Sequence, residues 1–157
     1  MSDKKASPPV RADFVAFEEV HSRWMDNDVY GHINNVVYYS FFDTAVNRYL
    51  IEQNVLDVLE SSAIGLVIET QCQYFSPIAY PDMIHVGLKV AHLGNSSVKY
   101  EVAIFKNEDD LASAMGYFVH VYVDRKTNKP TPIPQDVREV LRKLVKVADE
   151  YILNRSI

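Results

Sequence analysis

Residues 36–53, VVYYSFFDTAVNRYLIEQ, constrain the fold more than any other stretch. Ser40, Asp43, Thr44, Asn47, Arg48 and Glu52 recur at helical spacing as a polar stripe. Nearly every other position is apolar or aromatic: Val36, Val37, Tyr38, Tyr39, Phe41, Phe42, Ala45, Val46, Tyr49 and Leu50. The spacing predicts a helix over 36–53, with Asn34 or Asn35 as its N-cap. Its apolar face is wider than a surface helix needs, so other structure must wrap it.

The wrapping is legible on either side. Residues 14–24 alternate roughly and read as a strand. Four more strand-like runs follow at 65–75, 83–93, 97–106 and 111–124, separated by turn signals such as Gly94-Asn95-Ser96 and Asn107-Glu108-Asp109. Short turns imply antiparallel pairing. A final helix, about 135–150, carries Val137, Val140, Leu141, Leu144 and Ala148 on one face. Strand, greasy helix, four strands and end helix describe an α+β domain in which an antiparallel sheet curls around one helix, the hotdog architecture. Residues 1–12 are expected as a flexible tail and 13–157 as the single domain.

The 157 residues suit one domain, large enough to need no disulfide or metal. Cys72 is the sole cysteine, which suits a reducing compartment. The net charge of -5 argues against general nucleic-acid binding. Neither a secretory h-region nor an apolar run long enough to span a membrane is present, so a cytoplasmic location is expected. His21, His85, His92 and His120 are scattered over three expected strands without metal-ligand spacing, and no metal site is expected.

Polarity concentrates at 25–35, just before the helix. Asp26 and Asp28 alternate, so an extended chain points both to one side. Gly31 permits a tight turn, and His32 sits where it can meet a carboxylate or a ligand. The helix start offers free N–H groups and a positive dipole end, which can polarise a carbonyl. A carboxylate beside it can attack that carbonyl or activate water. Acid, helix start and apolar interior together are what hydrolysis of an apolar ester or thioester requires.

Arg23 to Asn35 with Tyr38 and Asp43 resembles the signature of the 4-hydroxybenzoyl-CoA thioesterase-like acyl-CoA thioesterases, roughly D-x-D-x-x-G-H-x-N-N-x-x-Y followed by a helix acid. The resemblance implies that Asp28 is the catalytic carboxylate, as nucleophile or general base, and that the Asn35 backbone N–H contacts the thioester carbonyl. His32, Asn34 and Tyr38 become candidate substrate contacts, and Ser96 and Ser97, in the GNSS turn, resemble a loop that meets the pantetheine arm. Asp26, Gly31 and Asp43 are supporting residues; Asp43 stands where many relatives carry the longer Glu. Arg125, Lys126 and Lys129, or Arg138, Arg142 and Lys146, are candidates to meet coenzyme A phosphates. The resemblance further implies an acyl-CoA or acyl-carrier thioester substrate, no cofactor, and a homodimer or homotetramer with active sites between subunits. A non-catalytic acyl-CoA-binding protein and a hotdog dehydratase are the alternative readings.

Overall fold

A computed structural model describes residues 7–146. Helix α1, Val37–Glu52, lies on one face of a five-stranded, wholly antiparallel sheet. The strands are β1 (Ala16–His21), β2 (Ala63–Tyr74), β3 (Met83–Leu93), β4 (Ser97–Lys106) and β5 (Ala114–Asp124), in the spatial order β1-β3-β4-β5-β2. Helix α2 spans Gln135–Lys143. The part of the expected end helix beyond residue 146 lies outside the described residues, as do residues 1–6 of the expected tail.

The wrapped helix is what its composition demanded. Tyr38, Phe41, Phe42, Ala45, Val46 and Leu50 are buried against the inward residues of the sheet, among them Val86, Leu88, Val102, Ile104 and Phe118. Phe42 meets Phe118 edge-on at 5.8 Å. Directly beneath, a Cβ on Gly116 would stand 2.0 Å from the Gln71 carbonyl oxygen and 2.9 Å from the Phe42 ring. Only glycine lets helix and sheet approach this closely there. Truncating Phe42 to alanine would cost about 3–5 kcal/mol through the cavity it leaves.

On the outer face of the sheet Phe14, Ala103, Phe105 and Ala112 form a second, small hydrophobic cluster. The segment before β1 straps across it. Val10 bridges Leu111, the Arg11 guanidinium lies 5.0 Å over the Phe105 ring, and it also bonds the Asn107 and Asp109 carbonyls. The expected tail is therefore docked over residues 9–12, where the Pro9 carbonyl also accepts from Ala112. The same docking accounts for residues 111 and 112, which join the strap instead of opening β5.

The first strand ends sooner than its alternation suggests. At Trp24–Asp26 the chain makes a 3-10 turn, because the Asp26 carboxylate reaches back to the Arg23 N–H at 2.8 Å. That turn redirects the chain from β1 towards the start of α1.

One edge of the sheet is uncovered. Strand β2 pairs with β5 on one side only, and residues 66–71 are exposed. They include Leu66, Val67 and Ile68, displayed around a β-bulge between Val67 and Glu69.

Candidate active site at the start of the central helix

The loop between Asp26 and α1 is built by its own hydrogen bonds. The Asp28 N–H donates to the His32 carbonyl at 2.8 Å and the Gly31 N–H to the Asp28 carbonyl at 3.1 Å. Gly31 takes φ +78°, a left-handed conformation that a side chain would strain. Asn27 and Ile33 bridge, closing the loop at its neck.

The two acids part company in this frame. Asp26 is only 2% exposed, and its carboxylate is held by the Arg23 main chain and guanidinium, the latter at 2.8 Å. Its carbonyl accepts from the Asn34 N–H at 2.9 Å, so Asp26 ties the loop to the helix start. Asp28 is half-buried. Its Oδ1 accepts from the Tyr30 N–H at 2.8 Å and, longer, from the His32 N–H at 3.4 Å. Those bonds fix the carboxylate while Oδ2 makes no hydrogen bond among the described residues.

Asp28, His32, Ile33, Asn35 and Tyr38 line one cavity of about 390 Å³, closed on its other side by Tyr74 to Pro77. Asn34 shapes it indirectly: its Oδ1 accepts the Val36 N–H at 3.1 Å, and its carbonyl accepts the Val37 N–H. Helix α1 thus begins at Val37, with Asn34 satisfying an early donor from outside the helix. The Asn35 N–H makes no hydrogen bond among the described residues, and its carbonyl accepts from the Tyr74 hydroxyl at 3.0 Å. Tyr74 also packs edge-on against Tyr38 at 4.8 Å. Burial pushes the Tyr38 hydroxyl up to about 12, which makes it a neutral wall.

Tyr74 is the residue that sequence reasoning missed. On an alternating strand it looks like any other strand aromatic, and only the long-range approach of β2 to the helix start gives it a task.

Three expected site residues stand apart. Asp43 is exposed two turns into α1, where it accepts from the Asn47 amide at 3.1 Å. Ser96 and Ser97 lie at the β3–β4 turn, where Ser97 pairs with Val121, whereas Tyr74 pairs with Ala114 at the other end of β5. Within one chain the sheet thus holds these serines away from Asp28. Of the basic residues, Arg138 bonds the Gly94 and Asn95 carbonyls, and Lys146 bonds the Ala12 carbonyl. Burial pushes the Cys72 thiol up to about 11, unfit for a nucleophile. Among the described residues no group of His, Cys, Asp and Glu could hold a metal ion, and no helix is long and apolar enough to cross a membrane.

Sheet, central helix and loop define a hotdog domain. Residues 22–141 match the family described as the thioesterase-like superfamily, and the chain belongs to it. It is 50% identical to the PA5185 protein of Pseudomonas aeruginosa strain PAO1, covering 89% of this chain and 98% of that one, with a TM-score of 0.87. A thioesterase of Thermus thermophilus, solved with coenzyme A and zinc, is 31% identical over 83% of this chain and 95% of its own, at a TM-score of 0.70. The gentisyl-coenzyme A thioesterase BH1999 shares the fold at 20% identity and a TM-score of 0.71, covering 80% of this chain and 99% of that one.

Proposed function

We propose that this protein hydrolyses an acyl-CoA thioester to the free acid and coenzyme A, with Asp28 as the catalytic carboxylate. The observation that carries the reading is the juxtaposition, in one cavity, of a backbone-held carboxylate and an unpaired N–H at a helix start. The thioester carbonyl oxygen accepts from the Asn35 N–H, whose peptide neighbour is fastened by Tyr74. The Asp28 carboxylate then acts on the carbonyl carbon, directly or by taking a proton from water. In both routes charge gathers on the same oxygen, where the amide and the helix dipole stabilise it. The C–S bond breaks, the thiolate leaves with a proton, and water supplies the second oxygen of the acid. No cofactor enters.

The same proposal includes a homo-oligomer whose basic unit is a pair joined along β2. An edge strand of 12 residues with exposed Leu66, Val67 and Ile68 is a template for pairing. The chain in isolation also displays apolar tips at both ends of β2: Val29 at 93% and Tyr30 at 83% exposure beside Asp28, and Leu59 at 80% before Ala63.

The test is thiol release from a panel of acyl-CoAs by the purified protein, together with its mass in solution. Turnover by a dimer or larger assembly is expected. Tight binding of acyl-CoA without turnover of any member would contradict the reading and favour a binding protein.

A further inference from the structure

The chain that follows β2 does two jobs. Tyr74 to Pro77 close the cavity on the side facing Asp28. Ile78 and Tyr80, just beyond, hold the neck of the Asp28 loop. The Ile33 N–H donates to the Ile78 carbonyl at 2.8 Å, and Oδ1 of the Asn27 side chain accepts the Tyr80 N–H at 3.0 Å. Asn27 and Ile33 are the bridging pair between which residues 28–32 are strung. Both ends of the Asp28 loop are therefore tied to one short stretch of chain.

That stretch is itself anchored to the sheet. The Phe75 and Ser76 N–H groups both donate to the Ser113 carbonyl, just before β5. The Lys106 ammonium donates to the Pro77 carbonyl at 3.0 Å. Farther on, Asp82 Oδ1 accepts from the Asn107 amide at 3.0 Å, and its Oδ2 accepts the Ala79 N–H at 3.1 Å. The Ser22 hydroxyl donates to the Asp82 carbonyl at 2.7 Å. Residues 74–82 thus form a fixed bracket between β2 and β3.

The bracket reaches both groups of the proposed reaction. At one end Tyr74 fastens Asn35, whose N–H is to meet the carbonyl oxygen. At the other, Tyr80 fastens Asn27, the residue next to Asp28. Among the described residues, Asn27 supplies the one side-chain hydrogen bond between residues 27–33 and the bracket. Its amide nitrogen makes no hydrogen bond among the described residues, so the acceptor oxygen is the working part of the side chain.

Resting on the thioesterase reading, we infer that Asn27 is a positioning residue: through Tyr80 it fixes the Asp28 loop to the same bracket that holds Asn35, and so sets the spacing between the carboxylate and the helix-start N–H.

The experiment compares Asn27→Leu and Asn27→Asp with the wild type in thiol release. Leucine keeps the size of the side chain and removes the acceptor, whereas aspartate keeps the acceptor. Asn27→Leu should lower kcat about tenfold, the worth of one hydrogen bond, and leave KM within about twofold, because Asn27 does not line the cavity. Asn27→Asp adds a charge beside Asp28, so it is compared at the plateau of its own pH profile, where most of the rate should return. In Asn27→Leu/Tyr74→Phe the loss in kcat should fall short of the product of the single losses, since both substitutions loosen the same spacing. Hydrogen exchange reads the clamp without turnover. Asn27→Leu should quicken exchange at residues 28–33 and leave β3 and β4 unchanged. An unchanged kcat in Asn27→Leu, an equal loss in Asn27→Asp, multiplicative losses in the double variant, or exchange that is unaltered at 28–33 or quickens equally in β3 and β4 overturns the inference while leaving the thioesterase reading in place. Failure of the wild-type protein to hydrolyse any acyl-CoA overturns both.

Discussion

The two ends of α1 and β2 are built on opposite plans. At the helix start, main-chain groups converge on an open cavity, and Asp28 is fixed by the Tyr30 and His32 N–H groups. At the far end, side chains close an apolar cavity around a buried neutral imidazole. The first plan suits a reaction, because main-chain donors need no reorganisation as charge develops. The second is a packing arrangement, in which the imidazole of His120 is enclosed by neighbours such as Gly65 and Tyr100. Substitutions at the helix start should therefore change rate, and those at the far end should change stability.

The largest stability effect expected outside the hydrophobic core is at Asp26, which joins the Asp28 loop to the helix. Asp26→Asn weakens charge-assisted bonds in a buried setting and should cost about 2–3 kcal/mol, read as a lower midpoint in urea denaturation. An unchanged midpoint would mean that the loop does not depend on this tie.

Next comes a third acid, near the C-terminal end of α1. Glu18 of β1 faces inward, is buried, and lies beside Glu52 and Arg48. Burial, then the hydrogen bond and charge of Glu52, raise its pKa from 4.5 to about 7, with Arg48 opposing. Between those values the folded protein holds a proton that the unfolded chain has released. This contribution to stability is full below about 4.5 and is lost as pH rises through about 7. Glu18→Gln should flatten that decline and stabilise the protein by ~2 kcal/mol at pH 8. Melting curves at pH 5 and pH 8 read it, and an equal pH response in both proteins would refute the assignment.

The smallest effect belongs to Tyr74→Phe. It removes one neutral hydrogen bond to the Asn35 carbonyl and should lower kcat roughly three- to tenfold, with little change in melting temperature. A change in KM alone would place Tyr74 in ground-state binding instead.

The sequence made some of this contrast legible and hid the rest for physical reasons. Strands β3 and β4 match their expected limits because alternation and the Gly94-Asn95-Ser96 turn are local signals. Helix α1 was readable because no surface position suits so many aromatics. The early end of β1 was not, since it depends on Asp26 bonding Arg23 within a turn that alternation does not register. The cavity at the helix start was readable as a motif because most of its lining is contiguous from Asp28 to Tyr38. The far cavity is not contiguous: Asn47, Leu56, Ile64, His120 and Arg125 meet only through the fold. His120 looked like one more strand histidine, because its missing hydrogen bond is a property of packing.

The proposed chemistry depends most heavily on Asp28, so the decisive measurement is thiol release by Asp28→Asn beside the wild-type protein, with urea denaturation midpoints for both. A fall in kcat of about 10³-fold with a nearly unchanged midpoint is expected, since the half-buried carboxylate supports only its own loop. Retention of the wild-type rate within a few-fold would refute the mechanism and remove Asp28 from the chemistry.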